Sequence, residues 1–148
     1  MKIRDLLKIE DRPAITIGPN ETVSEAVKKL VENNRGSLSV CGDKGELVGI
    51  ITERDLVRKC FARIDSCADI KVQDVMTREV VIGTIEDDAD YAIMVMKQKR
   101  IRHLPIVDNQ KVVGIVSMRD LLDVQLDNCQ TEVRYARLLP RRIQRPLV

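Results

Sequence analysis

Two short segments of the chain pair a hydroxyl side chain with a carboxylate three residues later. The segment GIITERDLVRK contains Thr52 and Asp55, and the segment GIVSMRDLLDV contains Ser117 and Asp120. Each pair follows an apolar run and precedes an amphipathic one, where such side chains cap the free N–H groups of a helix start. A carboxylate there can also accept hydrogen bonds from the two hydroxyls of a ribose, and the N–H groups attract phosphate. A structural cap and half of a ligand site are both open interpretations.

The two segments belong to an internal repeat. Residues 47–57 (LVGIITERDLV) align with residues 112–122 (VVGIVSMRDLL) at an offset of 65, and six of the eleven positions are identical. Upstream, at an offset of 66, both copies have apolar residues at the i, i+3, i+4, i+7 spacing of a buried helix face. These residues are Val23, Ala26, Val27 and Leu30 in the first copy and Ala89, Ala92, Ile93 and Met96 in the second.

The apolar pattern of each copy predicts the same order of elements. The first copy has a strand, a helix, two strands and a second helix, at residues 14–17, 23–34, 38–41, 47–51 and 53–62. The second copy has them at residues 80–82, 89–99, 104–107, 112–116 and 118–127. A unit of about 60 residues buries little surface alone. We therefore expect an α/β (α+β) fold in which two β-α-β-β-α repeats pack as a pseudo-twofold pair with one shared core. The predicted divisions are 1–66, 67–127 and a basic C-terminal tail, 128–148.

Composition narrows the possible functions. Only 2% of the residues are aromatic, which predicts an aliphatic core and weakens a single-stranded nucleic-acid interface built on base stacking. The net charge is +2, but residues 124–148 carry five arginines against two acidic residues, or +3, which leaves −1 for the rest of the chain. This tail could contact phosphate, an acidic protein or a second copy. We favour a dimer or partner contact over nucleic acid.

Catalytic and metal-binding motifs are missing from the sequence. The chain has a single histidine, His103, and its cysteines form no CxxC pair, so neither a zinc spacing nor a Cys/His catalytic set is present. It also has neither a GxxxxGK[ST] loop nor a GxGxxG motif. We therefore expect a protein that is not an enzyme. We interpret the four scattered cysteines as unpaired thiols, which fit a reducing cytoplasm. No apolar run approaches the roughly 20 residues of a membrane span, so we expect a soluble, cytoplasmic protein without a membrane partner.

The repeated pattern G-h-h-[ST]-x-x-D-L, with RHLPIVD at residues 102–108 and VMT at residues 75–77, resembles a tandem pair of CBS domains, or Bateman module. The resemblance covers about residues 1–127 and extends to the stand-alone CBS-pair proteins of bacteria and archaea. It implies a regulatory module that binds an adenosine-containing ligand (AMP, ADP, ATP, NAD(H) or S-adenosylmethionine) in clefts between the repeats. It also implies a homodimer and conformational signalling to an unknown downstream protein. No catalytic cofactor is implied.

The resemblance also implies a role for each motif residue. Asp55 and Asp120 would accept from ribose hydroxyls, while Thr52 and Ser117 would contact ribose or phosphate. The set predicted to bind the nucleotide is Asp120, Ser117, Arg102, His103, Pro105, Val81, Ile82, Gly83, Arg119, Asp55, Thr52, Arg54, Ile15, Thr16, Ile17 and Ser37. In this set residues 15–17 would frame one adenine and residues 81–83 the other, and Arg102 and His103 would contact phosphate.

The two copies differ at positions that matter for phosphate. The first copy has Gly36 and Ser37 where the second has Arg102 and His103, and Glu53 adds negative charge beside Asp55. We therefore expect the cleft at Asp120 to bind nucleotide more strongly than the cleft at Asp55.

Purely structural roles are also compatible with several of these residues. His103 can be a packed or surface residue, and Arg54 and Arg119 can form exposed ion pairs. Two alternative functions are a CBS dimerisation scaffold that binds no ligand and a nucleic-acid-associated regulator that uses the basic tail.

Overall fold

The computed structural model describes residues 1–62 and 67–126, and the tail 128–148 lies outside them. The first repeat contains β1 (Thr16–Ile17), α2 (Val23–Glu32), β2 (Ser37–Cys41), β3 (Leu47–Thr52), α3 (Glu53–Asp55) and a π-helix (Leu56–Phe61). The second contains β4 (Gly83–Thr84), α5 (Ala89–Lys99), β5 (His103–Asp108), β6 (Lys111–Ser117) and α6 (Met118–Leu126). Two further helices, α1 (Ile3–Glu10) and α4 (Val72–Val75), precede the repeats.

Each repeat forms its own three-stranded sheet. The strand orders are β1-β2-β3 and β4-β5-β6, with the first pair of each sheet parallel and the second antiparallel. Parallel strands need a crossover connection, and α2 and α5 supply it. The predicted mixed fold of two β-α-β-β-α repeats is therefore confirmed, and the hairpin strands and long helices lie within two residues of their predicted bounds.

Three predicted elements differ from the structure. The first strand of each repeat has only two paired residues, and β4 begins at Gly83, so residues 80–82 are not a strand as predicted. The reason is that only Gly83 and Thr84 pair with β5. The helix predicted at 53–62 is α-helical for three residues and then becomes a π-helix, in which Ala62 N–H donates to Val57 C=O five residues earlier. Such wide turns are rare and often lie at functional sites.

The predicted single shared core is wrong, because the buried apolar residues form two clusters, one in each repeat. Each cluster includes a helix that precedes the other repeat. Ile3 and Leu6 of α1 are at most 2% exposed and pack in the second core with residues such as Leu104 and Val116. Val72 and Val75 of α4 pack in the first core. The charged N-terminal segment was not predicted to be helical, although its apolar residues at 3, 6 and 7 have helical spacing. The chain therefore crosses between the repeats twice.

Two equivalent glycines mark where these helices come close to the sheets. A Cβ atom on Gly49 would lie 2.5 Å from Sδ of Met76 and 3.0 Å from the carbonyl oxygen of Thr77. A Cβ atom on Gly114 would lie 3.0 Å from Cδ2 of Leu7, a flexible side-chain end. The segment after α4 therefore packs against β3 through its backbone, while α1 packs against β6 through a side chain.

One cysteine prediction is wrong. Cys60 and Cys67 form a disulfide, and both are buried in the first core, so these two thiols are not unpaired. The π-helix carries Cys60 into the core, where Cys67 lies at the start of the following segment. Their Cα atoms are 5.8 Å apart, an ordinary separation for a disulfide. Cys41 is a free thiol, and Cys129 lies outside the described residues. The inference of a reducing compartment from unpaired thiols therefore does not hold for this pair.

Candidate functional sites

Two clefts of similar size lie between the repeats. The first, the Asp120 cleft, has a volume of about 550 Å³ and combines Asp120 and Ser117 of the second repeat with Ile15 of the first. The second, the Asp55 cleft, has a volume of about 600 Å³ and combines Asp55 with Val81 from the segment before β4. Both volumes fall in the range of small-molecule sites. Each carboxylate therefore faces an apolar residue supplied by the other half of the chain.

The clefts collect most of the predicted binding residues, although not all of them. Those that line the Asp120 cleft are Asp120, Ser117, Arg119, Arg102, His103, Ile15 and Ser37. Those that line the Asp55 cleft are Asp55, Thr52, Arg54, Val81, Arg102 and His103.

Five predicted residues line neither cleft. Ile17 is buried in the first core, and Ile82 is 49% exposed. Gly83 and Pro105 are buried in the second sheet, where they pair with Ile106 and Ile115. Thr16 pairs with Ser39 in the first sheet. Of the residues predicted around these short strands, only Ile15 and Val81 line a cleft, and both precede the strand.

Asp55 is fully engaged by neighbouring groups. Its Oδ2 accepts hydrogen bonds from N–H and Oγ1 of Thr52, both at 3.1 Å. Its Oδ1 accepts from Thr77 Oγ1 at 3.1 Å and forms an ion pair with Lys59 Nζ at 3.0 Å. Lys59 comes one helical turn after Asp55, which brings the two charges together. The predicted helix cap at Thr52 is present, and both carboxylate oxygens are already occupied in this arrangement.

Asp120 lines its cleft and is held by its cap through one oxygen only. Its Oδ2 accepts from N–H of Ser117 at 2.8 Å and from Oγ of Ser117 at 2.6 Å. Its Oδ1 lies 3.9 Å from Nη1 of Arg12, beyond hydrogen-bond distance. Burial, together with the nearby Asp120 carboxylate, raises the pKa of Glu10 above its usual range. Asp120 is therefore held in place by its cap through Oδ2, while its Oδ1 lies near Arg12 and the Glu10 carboxyl and has no ion pair as close as that of Asp55.

The first N–H groups of both helices are already paired. Glu53 N–H donates to the carbonyl oxygen of Gly36 at 3.0 Å, and Met118 N–H donates to that of Arg102 at 2.8 Å. Asp55 N–H and Asp120 N–H donate to the capping hydroxyls, each at 3.1 Å. Most of the backbone donors that the sequence offered for phosphate are therefore used inside the protein, so a phosphate has to be bound mainly by side chains.

A shared wall of four residues separates the two clefts. Gly36, Glu53, Arg102 and His103 line both of them. A Cβ atom on Gly36 would lie 3.1 Å from Nε2 of His103, so glycine lets the imidazole pack closely against β2. Burial lowers the pKa of His103, and this effect is larger than the opposite effect of the Glu53 and Asp120 charges, which raise the pKa. His103 is therefore neutral near pH 7 and is a donor and acceptor there rather than a cation.

The charge argument for a stronger Asp120 cleft does not hold. Glu53 lines both clefts, and so do Arg102 and His103, because Gly36, just before β2, lies against His103 at the start of β5. The Asp120 cleft has four acidic and four basic side chains, whereas the Asp55 cleft has three acidic and five basic ones. Formal charge thus favours an anion at Asp55, while the carboxylate oxygen that has no close ion pair favours a ribose at Asp120.

Four residues that matter at the clefts were missed by the sequence interpretation: Glu10, Arg12, Lys59 and Thr77. A signal existed only for Lys59, because a lysine four residues after an aspartate forms a helix-face pair. The other three come from outside the repeated motif, and only the fold brings them to the aspartates.

The fold consists of two tandem repeats with two clefts between them. A family profile for the CBS domain matches residues 3–62 and 72–127, and the chain belongs to the CBS domain family. An uncharacterised protein of Methanopyrus kandleri is 40% identical over 121 residues, which cover 80% of this chain and 61% of that protein. The chain thus spans about three fifths of the length of this relative.

Two solved structures with this fold contain adenosine compounds. The CBS domain pair of protein MJ0100, in complex with 5′-methylthioadenosine and S-adenosyl-L-methionine, has a TM-score of 0.75 and 30% identity, and the match covers 84% of this chain and 95% of that one. CBS domain protein PAE2072 from Pyrobaculum aerophilum, complexed with AMP, has a TM-score of 0.72 and 25% identity. The match covers 81% of this chain and 89% of that one. In the described part of this chain, no helix is both long and apolar enough to cross a membrane.

Proposed function

We propose that this chain is a regulatory module that binds an adenosine-containing ligand in the clefts between its repeats and signals by a change in their arrangement. One observation carries the proposal: Asp120 lines a cleft of about 550 Å³ and is fixed there by Ser117 through Oδ2, while its Oδ1 has no partner closer than Arg12 Nη1 at 3.9 Å among the described ion pairs and hydrogen bonds. A carboxylate oxygen in that position can accept from ribose hydroxyls. Adenosine compounds bound by the related CBS pairs support the same ligand class.

The rest of the ligand has suitable surroundings in the Asp120 cleft. Pro13, Ala14 and Ile15 line the cleft and supply apolar surface for an adenine ring. Arg102 and Arg119 supply guanidinium groups for phosphate oxygens. AMP, ADP, ATP, NAD(H) and S-adenosylmethionine share the adenosine part and differ in charge, so side chains beyond Asp120 decide among them.

The shared wall gives the ligand a route to a conformational signal. Glu53 and His103 come from different repeats and line both clefts, so a ligand in either cleft contacts both halves of the chain. A ligand shifts a conformational equilibrium only as far as its affinities for the two states differ. The downstream protein would recognise the surface that the favoured state presents. We assign the chain no catalytic role.

A homodimer is part of the proposal. Val57 and Phe61 on the π-helix and Leu122 and Leu126 on α6 occupy equivalent positions in the two repeats, and all four are between 42% and 65% exposed. Exposed apolar residues in such symmetric pairs suit a self-complementary interface. Light scattering should give twice the chain mass of 16.8 kDa. The double variant Val57→Asp, Leu122→Asp should give the mass of a single chain. A wild-type protein that itself has the mass of a single chain would contradict the dimer.

Calorimetric titration tests the ligand proposal. Purified protein is titrated with AMP, ATP, NADH and S-adenosylmethionine, and the titrations are repeated with Asp120→Asn and Asp55→Asn. Binding that is lost with one aspartate identifies a sensor and its cleft. If no ligand gives heat or raises the melting temperature, the dimerisation scaffold becomes the better account.

The remaining expectations have separate tests. A truncation that lacks residues 128–148 should keep ligand binding, and loss of nucleic-acid binding in that truncation would support the regulator that uses its basic tail. Cell fractionation tests the proposed cytoplasmic location.

A further inference from the structure

Lys59 distinguishes the two aspartates. Its Nζ lies 3.0 Å from Asp55 Oδ1, and it also donates to the carbonyl oxygen of Val75 at 3.2 Å and to Thr77 Oγ1 at 3.3 Å. The equivalent position in the second repeat is Val124, which packs against the second core. Asp55 therefore has an ammonium group on the oxygen that corresponds to Oδ1 of Asp120.

This ammonium group lies where it can move. The Lys59 side chain is 41% exposed and lines the Asp55 cleft, whereas the Asp55 side chain is only 11% exposed. Lysine carries its charge on a flexible four-carbon chain, so the Nζ atom can change partners without a backbone shift. Arg54, Arg58, Arg100 and Arg102 line the same cleft, which with Lys59 gives it five basic side chains against three acidic ones.

We propose that Lys59 makes the Asp55 cleft selective for adenosine ligands that carry a phosphate group, an inference that rests on the proposed function. A ribose reaches Oδ1 of Asp55 only if the ammonium group leaves it. A phosphate in the cleft gives the ammonium group a new anionic partner, so the ion pair is replaced rather than lost. Thr52 keeps Oδ2 of Asp55 in place throughout.

A ligand without a phosphate group gives Lys59 no new anionic partner in the Asp55 cleft. Adenosine would compete with Lys59 for the carboxylate and bring no anion in its place. The ammonium group would then lie among the four arginines of the cleft, with only Glu53 and Glu79 as further acidic groups there, and this loss weakens adenosine binding. The Asp120 cleft has no equivalent lysine and contains as many acidic as basic side chains, with Glu10 next to Asp120. It can therefore accept adenosine ligands that lack a phosphate. Specificity then comes from a penalty on the wrong ligand as well as a gain for the right one.

The test compares AMP with adenosine by calorimetry in an Asp120→Asn background, which leaves only the Asp55 cleft with its aspartate. Three proteins are compared: the background alone, the background with Lys59→Met, and the background with Lys28→Met. Lys28 is the matched control because its side chain is 73% exposed on α2 and lines neither cleft.

Opposite changes for the two ligands are expected. Lys59→Met should weaken AMP about tenfold or more, because one charge-assisted contact to phosphate is lost. The same change should leave adenosine binding unchanged or strengthen it, because Asp55 no longer has to be released. Lys28→Met should change neither. Equal weakening of AMP and adenosine by Lys59→Met would overturn the inference, since a purely structural lysine acts on both ligands alike.

Failure of the inference can be told apart from failure of the function. AMP binding that is present in the wild type and lost in the Asp120→Asn background would place the phosphate ligand in the other cleft, which overturns the role of Lys59 but keeps the sensor. Absence of AMP and adenosine binding in the wild type would overturn both.

Discussion

The two aspartates should differ sharply in what they contribute to stability. Asp55 is 8% exposed, and its two oxygens accept from Thr52, Thr77 and Lys59. Asparagine in its place keeps one acceptor and turns an NH₂ group toward one of these donors. The loss of a charge-assisted, largely buried contact costs about 2 kcal/mol. The substitution Asp55→Asn should therefore lower the free energy of unfolding by about 2 kcal/mol, equivalent to roughly 8 °C in melting temperature for a chain of this size.

Asp120→Asn should cost much less. The asparagine oxygen keeps both hydrogen bonds from Ser117, and the contact that is lost is a 3.9 Å pair with an Arg12 side chain that is 51% exposed. Such pairs contribute at most about 1 kcal/mol. The new NH₂ group can donate to the neighbouring Glu10, which removes a repulsion between carboxylates. The expected change in stability is within about 0.5 kcal/mol of zero.

Urea unfolding of both variants without ligand measures the difference. Lys59→Met and the double variant Asp55→Asn, Lys59→Met complete a cycle in which the two effects should not add, because they remove the same ion pair. Equal losses for Asp55→Asn and Asp120→Asn would refute the reasoning, since both aspartates would then be structural caps of the same kind.

Three further predictions concern the fold and its pH dependence. Gly49→Ala should destabilise by about 1–3 kcal/mol, because the new methyl group meets backbone and a buried side chain, while Gly114→Ala should cost less than about 1 kcal/mol. Reduction of the Cys60–Cys67 disulfide should lower the urea midpoint by an amount equivalent to about 2.5 kcal/mol, from the short loop that it closes. Burial lowers the pKa of His103, so the unfolded chain takes up a proton first as the pH falls. Stability should therefore decrease below about pH 6.5, and His103→Gln should make that decrease smaller.

Each of these three predictions can be contradicted by a specific result. Equal costs for the two glycine variants would mean that the segment after α4 can move away as easily as a leucine side chain. A midpoint that dithiothreitol leaves unchanged, with the thiols shown to be reduced, would argue against a stabilising disulfide. The raised pKa of Glu10 has the opposite effect on how stability depends on pH. The effect of His103 is therefore measured as the difference in unfolding free energy between His103→Gln and the wild type at each pH. Identical profiles would exclude His103 as the titrating group.

The repeat itself made much of the fold predictable. The helix faces around Val23 and Ala89 and the two hairpins follow from patterns of period 3.6 and 2, which depend on neighbouring residues only. The caps at Thr52 and Ser117 follow from local hydrogen bonding in the same way. Elements that depend on distant pairing were not predictable: β4 is defined by two residues that bond to β5, and α1 packs in the core of the second repeat.

The residues that line the clefts were predictable to the extent that they lie within the motif. Asp55 and Asp120 do face clefts, but their different surroundings come from residues that the motif does not contain. Thr77 reaches Asp55 from 22 residues away, and Glu10 reaches Asp120 from the far end of α1. Sequence proximity could not indicate either contact. The charge comparison between the clefts failed for the same reason, since Glu53 and Arg102 face both.

Calorimetric titration of AMP into the wild type, Asp120→Asn and Asp55→Asn tests the central proposal most directly. The account predicts measurable binding in the wild type that loses at least one site when Asp120 is replaced, without a comparable loss of stability. No heat with AMP, ATP, NADH or S-adenosylmethionine, and a melting temperature that none of them raises, would contradict it.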